Sequence, residues 1–222
     1  MPNKGGTRDF ATYDCFKYTQ EDFDEKARVL KDGSFLCEVI PAENENNFEY
    51  LYQLKKMALK AGFRYYAKVA WKKGTFVSNT GRKAKNTEDL MIFSKGKPRA
   101  LKLDKQRGLD AAGNPTRFMS GTNGMLPTDF DIPEVFDVQA IPNSKKRLKS
   151  EKPVALFEQL LEYLTKDGEL VLDQFAGSGV VGEACMKKNR KAILIEKAYE
   201  RVQAIQQRLG LVSAVNITEV VA

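Results

Sequence analysis

The spacing of apolar positions changes several times along the chain, and each change predicts an element. The first twenty residues are polar, contain glycine and lack periodicity, which predicts loop. TQEDFDEKARVLKDG then has the pattern of a helix: Thr19 is placed to cap it, acids crowd its first turn and Gly33 stops it. Residues 34–40, SFLCEVI, form a short apolar run bounded by Gly33 and Pro41, as a buried strand does. Over residues 47–61, Phe48, Leu51, Leu54, Ala58 and Leu59 recur at helical spacing, closed by Gly62. Two strand-like runs follow at 64–72 and 89–94, joined by a long basic linker. From Lys97 to about Ser150 the pattern weakens, and GNP, SGTNG and LPTDFDIPE supply turn signals. That stretch is expected to be an irregular insertion or small lobe, a kind of segment that often carries function.

Order returns at Pro153. Residues 153–165 predict a helix with proline at its first position and apolar residues at Val154, Leu156, Phe157, Leu160, Leu161 and Leu164, ended by Gly168. A strand (169–173), a glycine-rich turn, a helix (180–188), a strand (191–196) and a helix (199–209) follow, with a strand-like run at 214–221. Strands alternating with helices predict a parallel α/β sheet with right-handed crossovers.

A chain of 222 residues is long enough for one ordinary domain with its own core. No run approaches the 18 or so apolar residues a membrane helix needs, and MPNKGGTRDF has no apolar core of a signal peptide. Both absences lead to the expectation of a cytoplasmic protein. The chain has no histidine, which excludes Ser-His-Asp and Cys-His catalysis and His-ligated metals. Its three cysteines, Cys15, Cys37 and Cys185, are far apart, so neither a metal site nor a dithiol is expected. Chemistry must come from carboxylates, amides, backbone groups or a bound cofactor.

The net charge of +7 is unevenly placed. Between Arg64 and Arg107 stand 13 Lys/Arg against three acids, and a tighter run follows in Lys145, Lys146, Arg147 and Lys149. Aromatic residues (Tyr65, Tyr66, Trp71, Phe76) interleave with these bases. A solvated basic face is the plain reading of such a run. The asymmetry and the aromatics raise the nucleic-acid reading without settling it, with Lys72, Lys73, Arg82, Lys83, Lys85, Lys145, Lys146 and Arg147 as the candidate contacts.

The sharpest signal is LVLDQFAGSGVVGEA. An apolar strand ends at Asp173; Gly177, Gly179 and Gly182 then fit G-x-G-x-x-G and open a helix; Glu196 ends the next strand. Glycines here admit a ligand to the backbone, and the acid beyond the second strand is placed for a ribose diol. A lone pattern of this kind is weak evidence, but strand, helix and acid together favour a nucleoside cofactor. A dinucleotide is disfavoured, since Asp173 would meet its pyrophosphate and few residues follow Glu196. S-adenosylmethionine fits better, with an ammonium for Asp173 and a ribose for Glu196.

Asp173-Gln174-Phe175-Ala176-Gly177-Ser178-Gly179 resembles the cofactor motif of the DNA methyltransferases that make N6-methyladenine or N4-methylcytosine, with Gln174 where that family usually has proline. Ser150-Glu151-Lys152-Pro153 is similar to its Lys-Pro element, and Glu88 to Gly96 to its late strand. The resemblance covers about residues 10–209 and implies a Rossmann-like α/β methyltransferase fold, with a mostly parallel sheet and helices on both faces. It implies the circularly permuted class, in which the cofactor half comes last. Residues 1–96 would be the catalytic half, 97–150 the target-recognition insertion and 151–222 the cofactor half of one compact domain. Asp173, Phe175, Gly177, Ser178, Gly179, Glu196, Lys152 and Pro153 would hold S-adenosyl-L-methionine, and double-stranded DNA would be the partner.

The family's catalytic strand ends in Asp/Asn/Ser-Pro-Pro-aromatic. Its oxygen acceptors draw the amino lone pair out of conjugation, and its aromatic ring stacks on the flipped base. No two of the eight prolines here are adjacent. Asn114-Pro115-Thr116 comes nearest, with no strand expected ahead of it and no aromatic directly after. The resemblance implies that this strand lies just upstream of Met1, so that one central strand is lacking and the catalytic residues are unknown. Three readings follow: a site-specific DNA amino-methyltransferase, adenine N6 ahead of cytosine N4; an inactive DNA- or cofactor-binding remnant that pairs with a second chain or with itself; and, disfavoured, an NAD-dependent oxidoreductase.

Overall fold

The computed structural model describes residues 17–74, 87–99, 107–119, 132–148 and 150–211. Cys15, the linker residues Arg82, Lys83 and Lys85, Lys149 and the run at 214–221 lie outside them, as do most of the first twenty residues. The described residues form two compact units, one within Met1–Glu38, Glu43–Ala67 and Met91–Pro98, the other within Val39–Ala42, Lys68–Leu90 and Arg99–Ala222. No helix among them is long and apolar enough to cross a membrane.

The first unit contains helices α1 (Gln20–Val29) and α2 (Phe48–Lys60). Thr19 caps α1 in a reciprocal box: its hydroxyl accepts from Asp22 N–H, and the Asp22 carboxylate accepts from Thr19 N–H at 2.7 Å. The helix ends at Leu30, three residues before Gly33 takes its positive φ of 78°. Phe23, Leu51, Leu54, Ala58, Ile92 and Phe93 are buried in this unit. A buried ion pair also lies here, with Lys26 Nζ donating to Glu38 Oε1 at 2.5 Å and Tyr18 Oη to Glu38 Oε2 at 2.7 Å. Burial lowers the Lys26 pKa, opposed by the Glu38 charge.

Strands β1 (Phe35–Pro41), β2 (Phe63–Lys72) and β3 (Thr87–Lys95) match the expected runs within two residues and carry residues of both units. They form a sheet of order β1-β3-β2-β6, with the short β6 (Val135–Asp137) parallel to β2 in the register Ala70↔Val135. Trp71 fixes this added strand: its indole N–H donates to the Val138 carbonyl at 2.7 Å, fully buried. Gly33 and Ser34, just ahead of β1, bond Lys95 at the end of β3, so those neighbours run antiparallel.

The expected mostly parallel sheet is therefore corrected to a mixed one. Neighbours that return on each other need no crossover helix, so β3 can enter between β1 and β2 without one. The stretch after Lys97 is also less irregular than expected. β4 (Arg107–Leu109) and β5 (Pro115–Met119) pair as an antiparallel hairpin. Its turn is held by Asp110, whose carboxylate accepts from the N–H groups of Ala112 and Asn114. A strand thus does precede Asn114, but that side chain donates to Asp110 Oδ2 and is part of the turn.

The second unit holds the C-terminal elements as predicted, within two residues: α3 (Val154–Leu164), β7 (Leu170–Asp173), α4 (Val180–Lys187), β8 (Lys191–Leu194) and α5 (Tyr199–Arg208). Strands β7 and β8 are parallel, in the register Leu170↔Lys191 to Asp173↔Leu194. Val171 packs with Leu161, Ala184 and Cys185 of α3 and α4. Cys185 is a core residue, its thiol pushed up to about 11 by burial. In-register residues of a sheet share a face, so Leu170, Leu172 and Ile193 point the other way, and all three are about half exposed. Among the described residues, helices cover only one face of this pair and no second strand lies beside β7.

Candidate functional site

The glycine-rich turn is built where β7 runs out. The ladder continues past both strands: Ile195 N–H donates to the Asp173 carbonyl and Ala176 N–H to the Ile195 carbonyl, each at 2.9 Å. These bonds bring Glu196, two residues beyond β8, beside the turn. Its Oε2 accepts from Gly177 N–H at 2.9 Å and its Oε1 from Ala198 N–H at 3.0 Å, with Arg201 Nη1 at 3.6 Å.

Each glycine has its own reason. Gly177 and Gly179 have φ of 54° and 79°, the left-handed region that side chains resist, and Gly179 is the N-cap of α4. Gly182 lies inside α4, where a Cβ would sit 2.6 Å from Leu194 Cδ1 and 3.1 Å from Leu209 Cδ1. It permits close packing of α4 on β8 and α5. Between the first two glycines, Ser178 is buried.

Asp173 is half-buried, and burial raises its pKa above the usual carboxylate range. A hydrogen bond from Phe175 N–H to Oδ1 opposes this, the Glu196 charge adds to it and Lys152 opposes it. Phe175 is half exposed. Pro153 is the N-cap of α3, one position earlier than expected, and Lys152 precedes it. Lys152 Nζ lies 3.7 Å from Glu88 Oε2, and Glu88 Oε1 also accepts from Lys73 Nζ at 2.5 Å. Asp173, Phe175, Gly177, Ser178, Gly179, Glu196, Lys152 and Pro153 all belong to the second unit.

A group absent from the sequence reading joins the site. Arg208, in the last turn of α5, is almost fully buried. It donates through Nη1 to Glu151 Oε1 at 2.6 Å and to the Ser178 carbonyl at 3.1 Å, and through Nε to Glu183 Oε2 at 2.6 Å. Glu151 Oε2 accepts in turn from the N–H of Arg147 at 2.5 Å. Burial pushes the Glu151 carboxyl up, but the Arg208 bond and charge with the Arg147 N–H outweigh it and hold its pKa low. In sequence Arg208 passes for a basic residue at an ordinary helix C-terminus, and nothing local marks it.

The basic candidates divide. Lys72 pairs with Asp137 at 2.8 Å and Lys73 with Glu88. Lys68, Lys95 and Arg99 of the same window are also ion-paired, with Asp89, Asp32 and Glu169. Lys145, Lys146 and Arg147 lie on or beside a single 3-10 turn (Asn143–Lys145), and among the described residues no acid pairs with their charged side-chain ends, Glu151 meeting only the Arg147 backbone N–H.

Comparison with known proteins places this geometry. The fold matches the structure of the M1.HpyAVI–SAM complex, with a TM-score of 0.61, 19% identity and coverage of 89% of this chain and 86% of that one. It also matches the PvuII DNA methyltransferase, described as cytosine-N4-specific, with a TM-score of 0.59, 17% identity and coverage of 89% and 73%. This is an α/β fold shared with DNA methyltransferases. The chain belongs to the N6/N4 DNA methylase family, whose sequence profile matches residues 3–207. The Type II methyltransferase M.HpaI of Haemophilus parainfluenzae is 23% identical over 194 residues, 87% of this chain. The chain spans 59% of that relative's length, and 28% of the length of a second, YubD of Escherichia coli (strain K12).

Proposed function

We propose that the chain is the cofactor-binding and DNA-contacting part of a DNA amino-methyltransferase acting on exocyclic amino groups, adenine N6 ahead of cytosine N4. The observation that carries this reading is Glu196 bonded to Gly177 N–H across the glycine turn, with Asp173 at the adjoining strand end. Burial and a neighbouring carboxylate both penalise the charge on Asp173, with Lys152 opposing. Such a site suits a ligand that brings positive charge and repels a pyrophosphate. S-adenosylmethionine, when bound, supplies a methyl group on a positively charged sulfur.

The chain's own residues would bind and orient it. Asp173 takes its ammonium, and Glu196 takes the ribose hydroxyls while still accepting from Gly177 and Ala198. Lys152 and Pro153, at the entry to α3, border the methionine end, with Phe175 at the mouth. Lys145, Lys146 and Arg147 meet the phosphates of double-stranded DNA.

A second reading has its own support. No two prolines are adjacent in the sequence, and Asn114 is consumed by its turn. The chain then binds cofactor and DNA without turnover until a strand bearing Pro-Pro-Tyr is supplied, from a second chain or a longer polypeptide. Calorimetry with S-adenosylmethionine and with NAD tests the cofactor. The first should bind, and Glu196→Ala should weaken it by about 1–3 kcal/mol, the range for a lost charged hydrogen bond. Binding of NAD alone rules the reading out. Labelled-methyl transfer to unmethylated duplex separates the two readings: the second predicts little transfer by these 222 residues alone.

A further inference from the structure

We infer that Arg208 is the positioning residue of the cofactor turn, pinning Ser178 and, through Glu151, fastening the basic segment at Lys145–Arg147 to that turn. This rests on the reading of the turn as the cofactor site.

Ser178 stands between two glycines of positive φ. A backbone of that kind has many accessible conformations, because neither neighbour restricts it. Something must choose one if ligand-facing N–H groups are to be aimed in advance. The Arg208 guanidinium does so from beneath, donating to the Ser178 carbonyl at 3.1 Å. It can hold that carbonyl still because it is itself held at two further points, Glu151 and Glu183. A planar guanidinium suits this task, since its donors lie in a fixed fork.

The second leg reaches the other candidate site. Glu151 Oε2 accepts from the N–H of Arg147, and Leu148 Cδ1 lies 3.7 Å from where a Cβ on Gly177 would be. The basic segment therefore rests on the turn. The Arg208 and Glu151 side chains are only 7% and 3% exposed, so water competes little for these bonds. Cofactor and nucleic acid would thus meet one preorganised piece, and affinity gained by preorganisation is lost when the restraint is cut.

Amide hydrogen exchange and calorimetry test this on the purified chain. Arg208→Gln should speed exchange at Gly177 and Gly179, which donate to Glu196 and Ala176, while leaving the β7–β8 ladder amides protected. Affinity for S-adenosylmethionine, measured well below the melting temperature, should fall about tenfold, and Arg208→Lys should recover part of it. Glu183→Gln, which weakens the leg to α4 and the exposed Lys187 pair but leaves Glu151 in place, should cost less than Glu151→Gln. Faster exchange throughout the unit, or unchanged exchange at the turn, would overturn the positioning role and leave the cofactor reading standing. Wild-type protein that binds no S-adenosylmethionine would overturn both.

Discussion

Gly179 and Gly182 belong to one three-glycine pattern but answer to different constraints. Gly179 combines a φ of 79° with close neighbours: a methyl placed on its Cα would lie only 3.1 and 3.2 Å from Ile205 Cγ1 and Cγ2. Both of those carbons are fixed to a β-branched centre and cannot swing aside separately. Gly182 has helical backbone, and the Leu194 and Leu209 methyls it would strike sit at the ends of longer side chains. Alanine at 179 should cost about 2–4 kcal/mol from left-handed strain plus repacking. Alanine at 182 should cost about 1 kcal/mol, because a helix-propensity gain of similar size offsets part of the overpacking. Denaturant titration of both variants checks the order. The sequence showed that glycines were needed here but not which one bends and which one packs, because Ile205 and Leu209 lie far downstream.

At the level of elements, the segment before α3 is held by charge. Glu151 has its pKa held below the ordinary value of 4.5. A carboxyl lowered in the folded state stabilises fully above its unfolded pKa, and the contribution is lost as pH falls through the folded one. Melting temperature should therefore drop on acidification below about pH 4.5, and Glu151→Gln should flatten that limb while lowering stability at pH 7. The other helices have simpler origins. Thr19→Ala should cost α1 about 1 kcal/mol, read as a lower melting temperature, since it breaks the capping box. That cap was legible because Thr19 and Asp22 are neighbours, as were α2 and α3 from their apolar spacing and α4 and α5 from their alternation with strands. Strands β4, β5 and β6 were not, because these short segments carry no apolar run of the kind β7 and β8 have and are defined by their partners. Val135 becomes a strand residue only because Ala70 lies beside it.

For the whole molecule, charge is spent unevenly. Among the described residues of the basic window between Arg64 and Arg107, Lys68, Lys72, Lys73, Lys95 and Arg99 are engaged by acids, so for these the sequence excess overstates what a polyanion would meet. The run at Lys145–Arg147 is therefore the better candidate for the contact proposed above. Replacing those three residues with alanine should weaken DNA binding at every sequence and flatten the salt dependence by about one unit per lost phosphate contact. The same change at Lys72 and Lys73 should do less. Affinity independent of salt would remove both groups from the interface. Composition located the charge excess but not its neutralisation, since Lys72 meets Asp137 only through the pairing of β2 with β6.

The face of the β7–β8 pair that the described residues leave uncovered bears on how the protein behaves in a test tube. Leu170, Leu172 and Ile193 form a small greasy shelf next to a row of backbone donors and acceptors on β7 that no strand pairs among the described residues. Shelf and row together make a template on which any extended apolar peptide, including another copy's, can settle. Purified protein should therefore brighten an environment-sensitive dye while still folded, and scatter more light as it is concentrated. Leu172→Glu should quench both effects with little loss of melting temperature, because that side chain is already half in water.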